Sequence, residues 1–581
     1  MDLQRRLPQP TASSSEQQLQ AAPTISDPSS TWLPDIMERF AASLTSNEVA
    51  CALRLVNKAT AARFSAPQHA TIRLSQPVPH HAFVQRWAGP GAMRCLARRQ
   101  RFILTELTAC SGVIANLEVL LARDDLDLDN LDLDGGVFAA AAGAGQLGVC
   151  VWLREQGCHR NDQQALMAAA RAGQQAVCEW LLAGRPEEDF LGTAASAAGG
   201  GHVGLMDRLL LGAGRPDVGT LHAASCRLLA GAAAGCDLPT LQRLHHTLLD
   251  MLPGGLPAAS EPSITSAAAG SPTADWQAKV EWLEARGYAR DVWACTAAAA
   301  TPDMLPRLQW LRQRGYPLDY RVAASAAGAG NVAALQYVLG QGVDWRHPGG
   351  GLIGLAAHNG HMAVMEMLHA RGVPIGEDEV RAAAFGSHVP AVAWLVERLD
   401  AGTVLTARVF TAAASCFSEH GLGYMDLLAW LRERGCPWDD TTFFVAAGNG
   451  SEEQLEWLAE QGCPMGEHGS SYVNAVDNGD LAMLRCLRRL DCPWSSDGST
   501  FTHAVERVSE NGVFGQGVAR ALRWLLDHGC PVDWDGAEAG ARQPMVEIGQ
   551  PRGGVEEWLR RDRQQVQEVV GWLRQERQQR G

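Results

Sequence analysis

WLRERGCPWDD, residues 430 to 440, is one of six near-copies of a single phrase. The others are WLREQGC from Trp152, WLEARGY from Trp282, WLRQRGYPLD from Trp310, WLAEQGCPM from Trp457 and WLLDHGCPVD from Trp524. A catalytic motif is usually written once, whereas a phrase recurring every few tens of residues marks a repeat architecture whose units stack on their neighbours. With the Trp as marker, equivalent positions fall at Trp152, Trp180, Arg208, Trp282, Trp310, Tyr337, Met367, Trp394, Trp430, Trp457, Cys486 and Trp524, mostly 27 to 30 residues apart.

Upstream of the markers lie small-residue segments such as FAAAAGAG from Phe138, LMAAARAG from Leu166, VAASAAGAG from Val322 and LIGLAAHNG from Leu352. One unit therefore reads as an Ala-rich helix, a tight Gly turn, a second helix and a Gly stop. In the second helix Leu147, Val149, Trp152 and Leu153 fall along one apolar stripe, as do Leu455, Trp457 and Leu458. Glycine at 157, 315, 435, 462 and 529 suits a left-handed helix end, and the Pro that often follows two places later cannot continue the helix. Trp152, Trp180, Trp282, Trp310, Trp394, Trp430, Trp457 and Trp524 are the expected repeat-core anchors, each worth roughly 3 to 5 kcal/mol against loss.

The 581 residues are too many for one compact core, and abundant Ala and Gly favour an all-α array of closely packed helices. A net charge of −15 argues against nucleic acid as a partner, because a phosphate backbone calls for a basic face. Lys58 and Lys279 are the only lysines, which leaves little room for lysine-dependent chemistry. Fifteen scattered cysteines include a set at one repeat position, Cys158, Cys436, Cys463, Cys492 and Cys530, which reads as buried thiols in a reducing compartment. The expected location is the cytoplasm, with the nucleus as the alternative. Residues 1–31 read as a disordered tail whose Arg and Ser content also suits an organelle signal. The uncharged run Gly135 to Leu153 is broken by Gly143, Gly145, Gln146 and Gly148, so no membrane partner is expected.

Tempting motifs dissolve in the repeat. GAGQLG (143–148) and GGGHVG (199–204) fit GxGxxG, but each follows an Ala-rich helix rather than a strand. RDDLDLDNLDLDG (123–135) lacks the Glu that closes a calcium loop. His80 with His81 and His245 with His246 have no Cys or acidic residues at ligand spacing, and Arg94, Arg98, Arg99 and Arg101 read as a solvated basic face. No catalytic, cofactor-binding or metal site emerges, no cofactor is expected, and the chain does not read as an enzyme.

The phrases AGQLGVCVWLREQGC (144–158) and NGHMAVMEMLHARGVPI (359–375) resemble the second half of an ankyrin repeat. The resemblance implies an ankyrin-like α-solenoid of about fourteen helix-turn-helix repeats, in blocks 103–250 and 276–534 about a flexible insertion at 251–275. The period is about five residues below the usual ~33, so short or absent β-hairpin fingers are expected. Residues 535–581 would be a linker and an amphipathic capping helix. Exposed turn residues His358, Asn359, Asn449, Asn478 and Asp480 are the candidate contacts for a protein target.

Ahead of the array, WLPDIMERFAASLTSNEVACALRLVNKATAARF (32–64) resembles an F-box, joined to the repeats by a connecting segment at 65–102. That resemblance implies docking on a Skp-type adaptor of a cullin-RING ubiquitin ligase through Leu33, Pro34, Ile36, Met37, Phe40, Leu44, Leu53 and Val56. The two resemblances together imply a non-catalytic protein-interaction module serving as a ligase substrate receptor; the alternative is a scaffold with no ligase link.

Overall fold

The structure, a computed structural model, describes residues 34–123, 126, 136–157, 162–183, 188–212, 218–250, 262–344, 346, 351–415, 424–511, 514–542 and 555–580. The tail 1–31, Leu33, Cys158, residues 251–261 and nearly all of the acidic loop 124–135 lie outside them.

The fold is an all-α helical-repeat solenoid, with no strand among the described residues. Among the described residues fifteen helix pairs follow one another, here numbered as units 1 to 15. Unit 1 is Arg98–Cys110 with Ile114–Leu121, and unit 15 is Trp534–Gly540 with Val555–Arg580.

Three segments differ from the sequence expectation. The array begins at Arg98, within the segment read as a connector. Pro262–Ala269 is the first helix of unit 6 rather than part of a flexible insertion, because PSITSAAA offers the same small apolar face as its neighbours, with Ile264, Ala268 and Ala269 buried. Trp534–Gly540 is a helix rather than linker, and it completes the count beyond fourteen.

Small residues set the packing. In unit 8 (Tyr320–Gly328, Val332–Gly340) the first helix buries Val322, Ala323, Ala326 and Ala327, and the second buries Ala334, Leu335 and Val338. Successive first helices lie backbone to backbone: a Cβ on Gly231 would overlap the carbonyl oxygen of Ala195. Second helices carry Leu and Trp and stand further apart, which curves the array with its first helices on the inside. One hydrophobic core runs from Phe102 to Leu573.

Each turn closes a helix by hydrogen bonding. After the first helix of unit 8, Gly330 adopts φ +69°, and Asn331 N–H donates to Ala326 O at 3.0 Å. After the second helix of unit 7 (Met304–Gln313), Gly315 adopts φ +88°, and Tyr316 N–H donates to Leu311 O at 3.1 Å. Both left-handed glycines capture carbonyls that a helix end leaves without partners.

The N-terminal module packs Pro34–Ser43, Ser46–Cys51 and Lys58–Arg63 around Met37, Val49, Leu53 and Phe64. Thr45 and Glu48 form a reciprocal cap, and buried Asn47 ties the module to the following segment through Arg73 O at 2.8 Å and Pro77 O at 3.0 Å.

Candidate binding face

The outward side of the first helices forms one continuous face. In most first helices two adjacent buried residues are followed four places on by two more: Ala165, Leu166, Ala169 and Ala170 in unit 3 (Asp162–Arg171). Residues one before, two after and six after that leading pair therefore share the opposite side. Those positions hold Ala324 and Ser325 near the middle of the array and larger groups elsewhere. Met167, Trp293 and Leu355, all on first helices, are 43 %, 46 % and 37 % exposed, and they supply three of the seven large exposed apolar side chains among the described residues.

Behind this face runs a ladder of polar side chains. Gln146 Nε2 donates to Cys110 O at 3.0 Å, Gln454 Nε2 to Ala414 O at 2.9 Å and Asn478 Nδ2 to Gly448 O at 2.8 Å. His361 Nε2 lies 2.9 Å from Gly328 O, and since a carbonyl only accepts, the ring carries its proton there. Lys279 Nζ donates to Ala233 O, Cys236 O and Ser271 Oγ, each at 2.8 Å, and Arg307 Nη1 to Ala269 O and Ser271 O at 2.7 and 2.8 Å. All of these donors but Asn478, which caps the end of a first helix, sit just before a second helix or in its opening turn, and each satisfies the end of the preceding unit's first helix. Burial lowers the Lys279 pKa, against the opposing pull of Asp275.

The array also meets itself. Arg101 in unit 1 grips the Asp480 carboxylate with both guanidinium nitrogens, one contact at 3.2 Å, and the two side chains are only 7 % and 6 % exposed. Beside them Arg94 pairs with Glu456, and its carbonyl accepts from Glu453 N–H at 3.2 Å. Arg489 closes the cluster on Glu452 at 2.9 Å and Glu456 at 2.7 Å. Arg94 and Arg101 are thus not a solvated basic face: the curvature returns unit 1 to units 12 and 13.

The turn candidates fare differently. Asp480 is turned inward, its carboxylate also capping Leu481–Arg489 through Met483 N–H at 3.1 Å. Asn478 is spent on the ladder, Asn359 donates to Leu355 O at 2.9 Å, and His358 stacks on Phe385 with centroids 5.5 Å apart. Asn449 is half-buried at a helix end.

Of the eight tryptophan anchors only Trp394 is fully buried; the other seven are half-buried against the core. The deepest positions are the leucines that follow them, Leu153, Leu181, Leu283, Leu311, Leu395, Leu431, Leu458 and Leu525. Arginines roof several indoles, Arg314 over Trp310 at 4.8 Å and Arg434 over Trp430 at 3.8 Å.

In the N-terminal module Met37 and Leu53 point inward, Leu44 is half-buried, and Phe40 and Val56 are exposed. Pro34 begins the first helix, while Leu33 and the side chains of Pro34 and Ile36 lie outside the described residues.

Nothing in the described residues gathers catalytic groups. No cluster of His, Cys, Asp and Glu there could hold a metal ion, and no helix there is long and apolar enough to cross a membrane. His80 pairs with Asn116 at 2.9 Å and His245 with the Tyr288 hydroxyl at 3.0 Å, both structural contacts. The described cysteines are free, and burial raises Cys150, Cys178 and Cys236 to about 11 and Cys436, Cys463, Cys492 and Cys530 to about 12.

No family model and no curated protein matches the sequence. Among solved structures, the pentatricopeptide repeat protein PPR10 from maize is 11 % identical with a TM-score of 0.21, covering 94 % of this chain and 97 % of that one. Two structures of PPR10 in complex with an 18-nt psaJ RNA element are each 12 % identical with a TM-score of 0.23, covering 94 % and 98 %. None of these structures is an ankyrin-repeat or F-box protein and no family model of either kind matches, so the ankyrin and F-box resemblances, with the Skp-type adaptor and the ubiquitin-ligase role drawn from them, are withdrawn. The exclusion of nucleic acid from net charge does not stand either, because a whole-chain sum says nothing of any one face.

Proposed function

We propose that the chain is a non-catalytic scaffold that holds an extended segment of a partner protein along the outward face of its first helices. The observation that carries this is the placement of Met167, Trp293 and Leu355: large apolar groups exposed on one face of an array whose small residues otherwise leave it smooth. A chain lying across several units meets a succession of shallow steps between helices, which suits side chains of an extended peptide. Met167 and Leu355 sit in units 3 and 9, so a segment touching both spans seven of the fifteen units.

The test is site-specific photo-crosslinking of the full-length protein from Met167 and from Leu355, with Leu211, exposed on a second helix, as the control. Protein adducts from the first two positions and none from Leu211 are expected. Equal labelling from all three, or adducts to RNA alone, would sink the proposal.

A further inference from the structure

Between units 3 and 11 the outward face carries more arginines than carboxylates in a chain that is acidic as a whole, and Asp378, in the same register in unit 10, pairs with Arg381 at 2.9 Å. Arg227, Arg321 and Arg408 occupy the same register in units 5, 8 and 11, each directly before the leading buried pair: Leu228 with Leu229, Val322 with Ala323, and Val409 with Phe410. Arg171 lies at the far end of the same side in unit 3. All four are exposed, and none has a carboxylate partner among the described residues. Arg321 stacks instead on Trp293, the guanidinium carbon 4.5 Å from the ring centroid, which holds the charge out over the face. Elsewhere arginines are neutralised locally, as Arg314 is by Glu284 at 2.6 Å and Arg243 by Asp207 at 2.9 Å.

Resting on the scaffold reading above, we infer that the partner segment is acidic, with carboxylates meeting Arg227, Arg321 and Arg408 and apolar side chains set between them. The three arginines are separated by three units each, so the ligand is a long chain with spaced charges rather than a single anionic group. A protein segment fits better than single-stranded nucleic acid. Among the described residues Trp293 is the one exposed indole on this face; His358 and Phe385 are half-buried and stacked on each other, and many of the other positions are Ala, Ser and Gly, whereas sequence-tolerant binding of bases relies on a series of aromatic platforms. Arginine's planar fork, already unpaired, loses no existing ion pair when a carboxylate arrives.

The experiment titrates the full-length protein, by fluorescence anisotropy at low salt, with three labelled probes. They are a Glu- and Leu-containing peptide of about 25 residues, long enough at ~3.3 Å per residue to cross several units, a neutral Gln-for-Glu version, and a single-stranded oligouridine. The triple variant Arg227→Glu, Arg321→Glu, Arg408→Glu is compared with a charge-matched triple variant at exposed positions in or at the end of second helices, Arg208→Glu, Arg371→Glu, Arg485→Glu. The acidic peptide should bind the unaltered protein, bind the triple variant at least about tenfold more weakly, and lose affinity with added salt. The control variant should stay within about twofold.

Equal losses in both variants, or no binding of the acidic peptide, overturns the inference. Oligouridine binding that the triple variant alone abolishes, without peptide binding, replaces the protein segment by nucleic acid. If the neutral peptide binds as well as the acidic one and depends on Met167 and Leu355 but not on the arginines, the scaffold reading survives and the acidic partner does not.

Discussion

Arg101 and Asp480, 379 positions apart in sequence, form a buried ion pair that joins the first unit of the array to the thirteenth. Losing one partner of such a pair strands the other charge away from water, at a typical cost of about 3–5 kcal/mol. Asp480→Ala should therefore destabilise the protein by about that much, and hydrogen exchange should rise together in Arg98–Cys110 and Leu481–Arg489. Arg94→Ala, at a half-exposed pair, should cost under about 1 kcal/mol. Exchange confined to one of the two helices would mean that they are not coupled.

The core should be most sensitive one residue beyond the repeated tryptophan. Leu311 is fully buried, while Trp310 lies half-exposed against Trp276, ring centroids 5.0 Å apart. Leu311→Ala should cost about 2–5 kcal/mol, and Trp310→Ala less despite its larger side chain, because water and Arg314 already cover one face of the indole. Denaturant unfolding of the two variants checks the order.

The local grammar of the repeat was readable in advance because it is local. The Gly stops, the Ala-rich first helices and the Leu stripe each follow from helix geometry within about one unit. The ladder had a visible signal too: Gln146, Gln174 and His361 each stand directly after the glycine of the first-helix turn, where an orphan carbonyl awaits a donor. The closure through Arg101 and Asp480 had none, since it depends on curvature summed over many units. Both ends differ from expectation for the same reason: Arg101 of the basic cluster and Asp480 of the acidic turn are buried against each other. The resemblances to named families rested on hydrophobic spacing, which many helical hairpins share.

Gly330 and Gly315 separate two kinds of cost. Both are left-handed, but a Cβ on Gly330 would lie 2.6 Å from His361 Nδ1, whereas one on Gly315 would meet nothing within 4 Å. Gly315→Ala should cost about 1 kcal/mol from backbone strain alone. Gly330→Ala should cost more, because His361 must also leave Gly328 O. Adding His361→Ala should relieve the steric part of the Gly330→Ala penalty, and a double-mutant cycle that shows no coupling would exclude the contact.

Alkaline pH should unfold the array through its thiols. Burial raises Cys150, Cys178 and Cys236 to about 11 and Cys295, Cys436, Cys463, Cys486, Cys492 and Cys530 to about 12, against 9.0 for the free group. A raised folded pKa means that the folded state holds more protons than the unfolded one across that window. The stabilisation is complete below pH 9 and is lost as pH climbs through the folded values. Tyr316 and Tyr472, also raised by burial, act in the same direction at still higher pH. Lys279 opposes them: its pKa is lowered, so the unfolded state binds the extra proton, and its share of stability rises with pH up to 10.5. With one lysine set against nine thiols, and each fully shifted group worth about 1.4 kcal/mol per pH unit, the thiols prevail. Denaturant midpoints should hold steady up to pH 9 and then fall steeply, and Cys436→Ala or Cys492→Ala should each flatten the fall. Midpoints that stayed level to pH 11 would mean that these thiols ionise within the folded array.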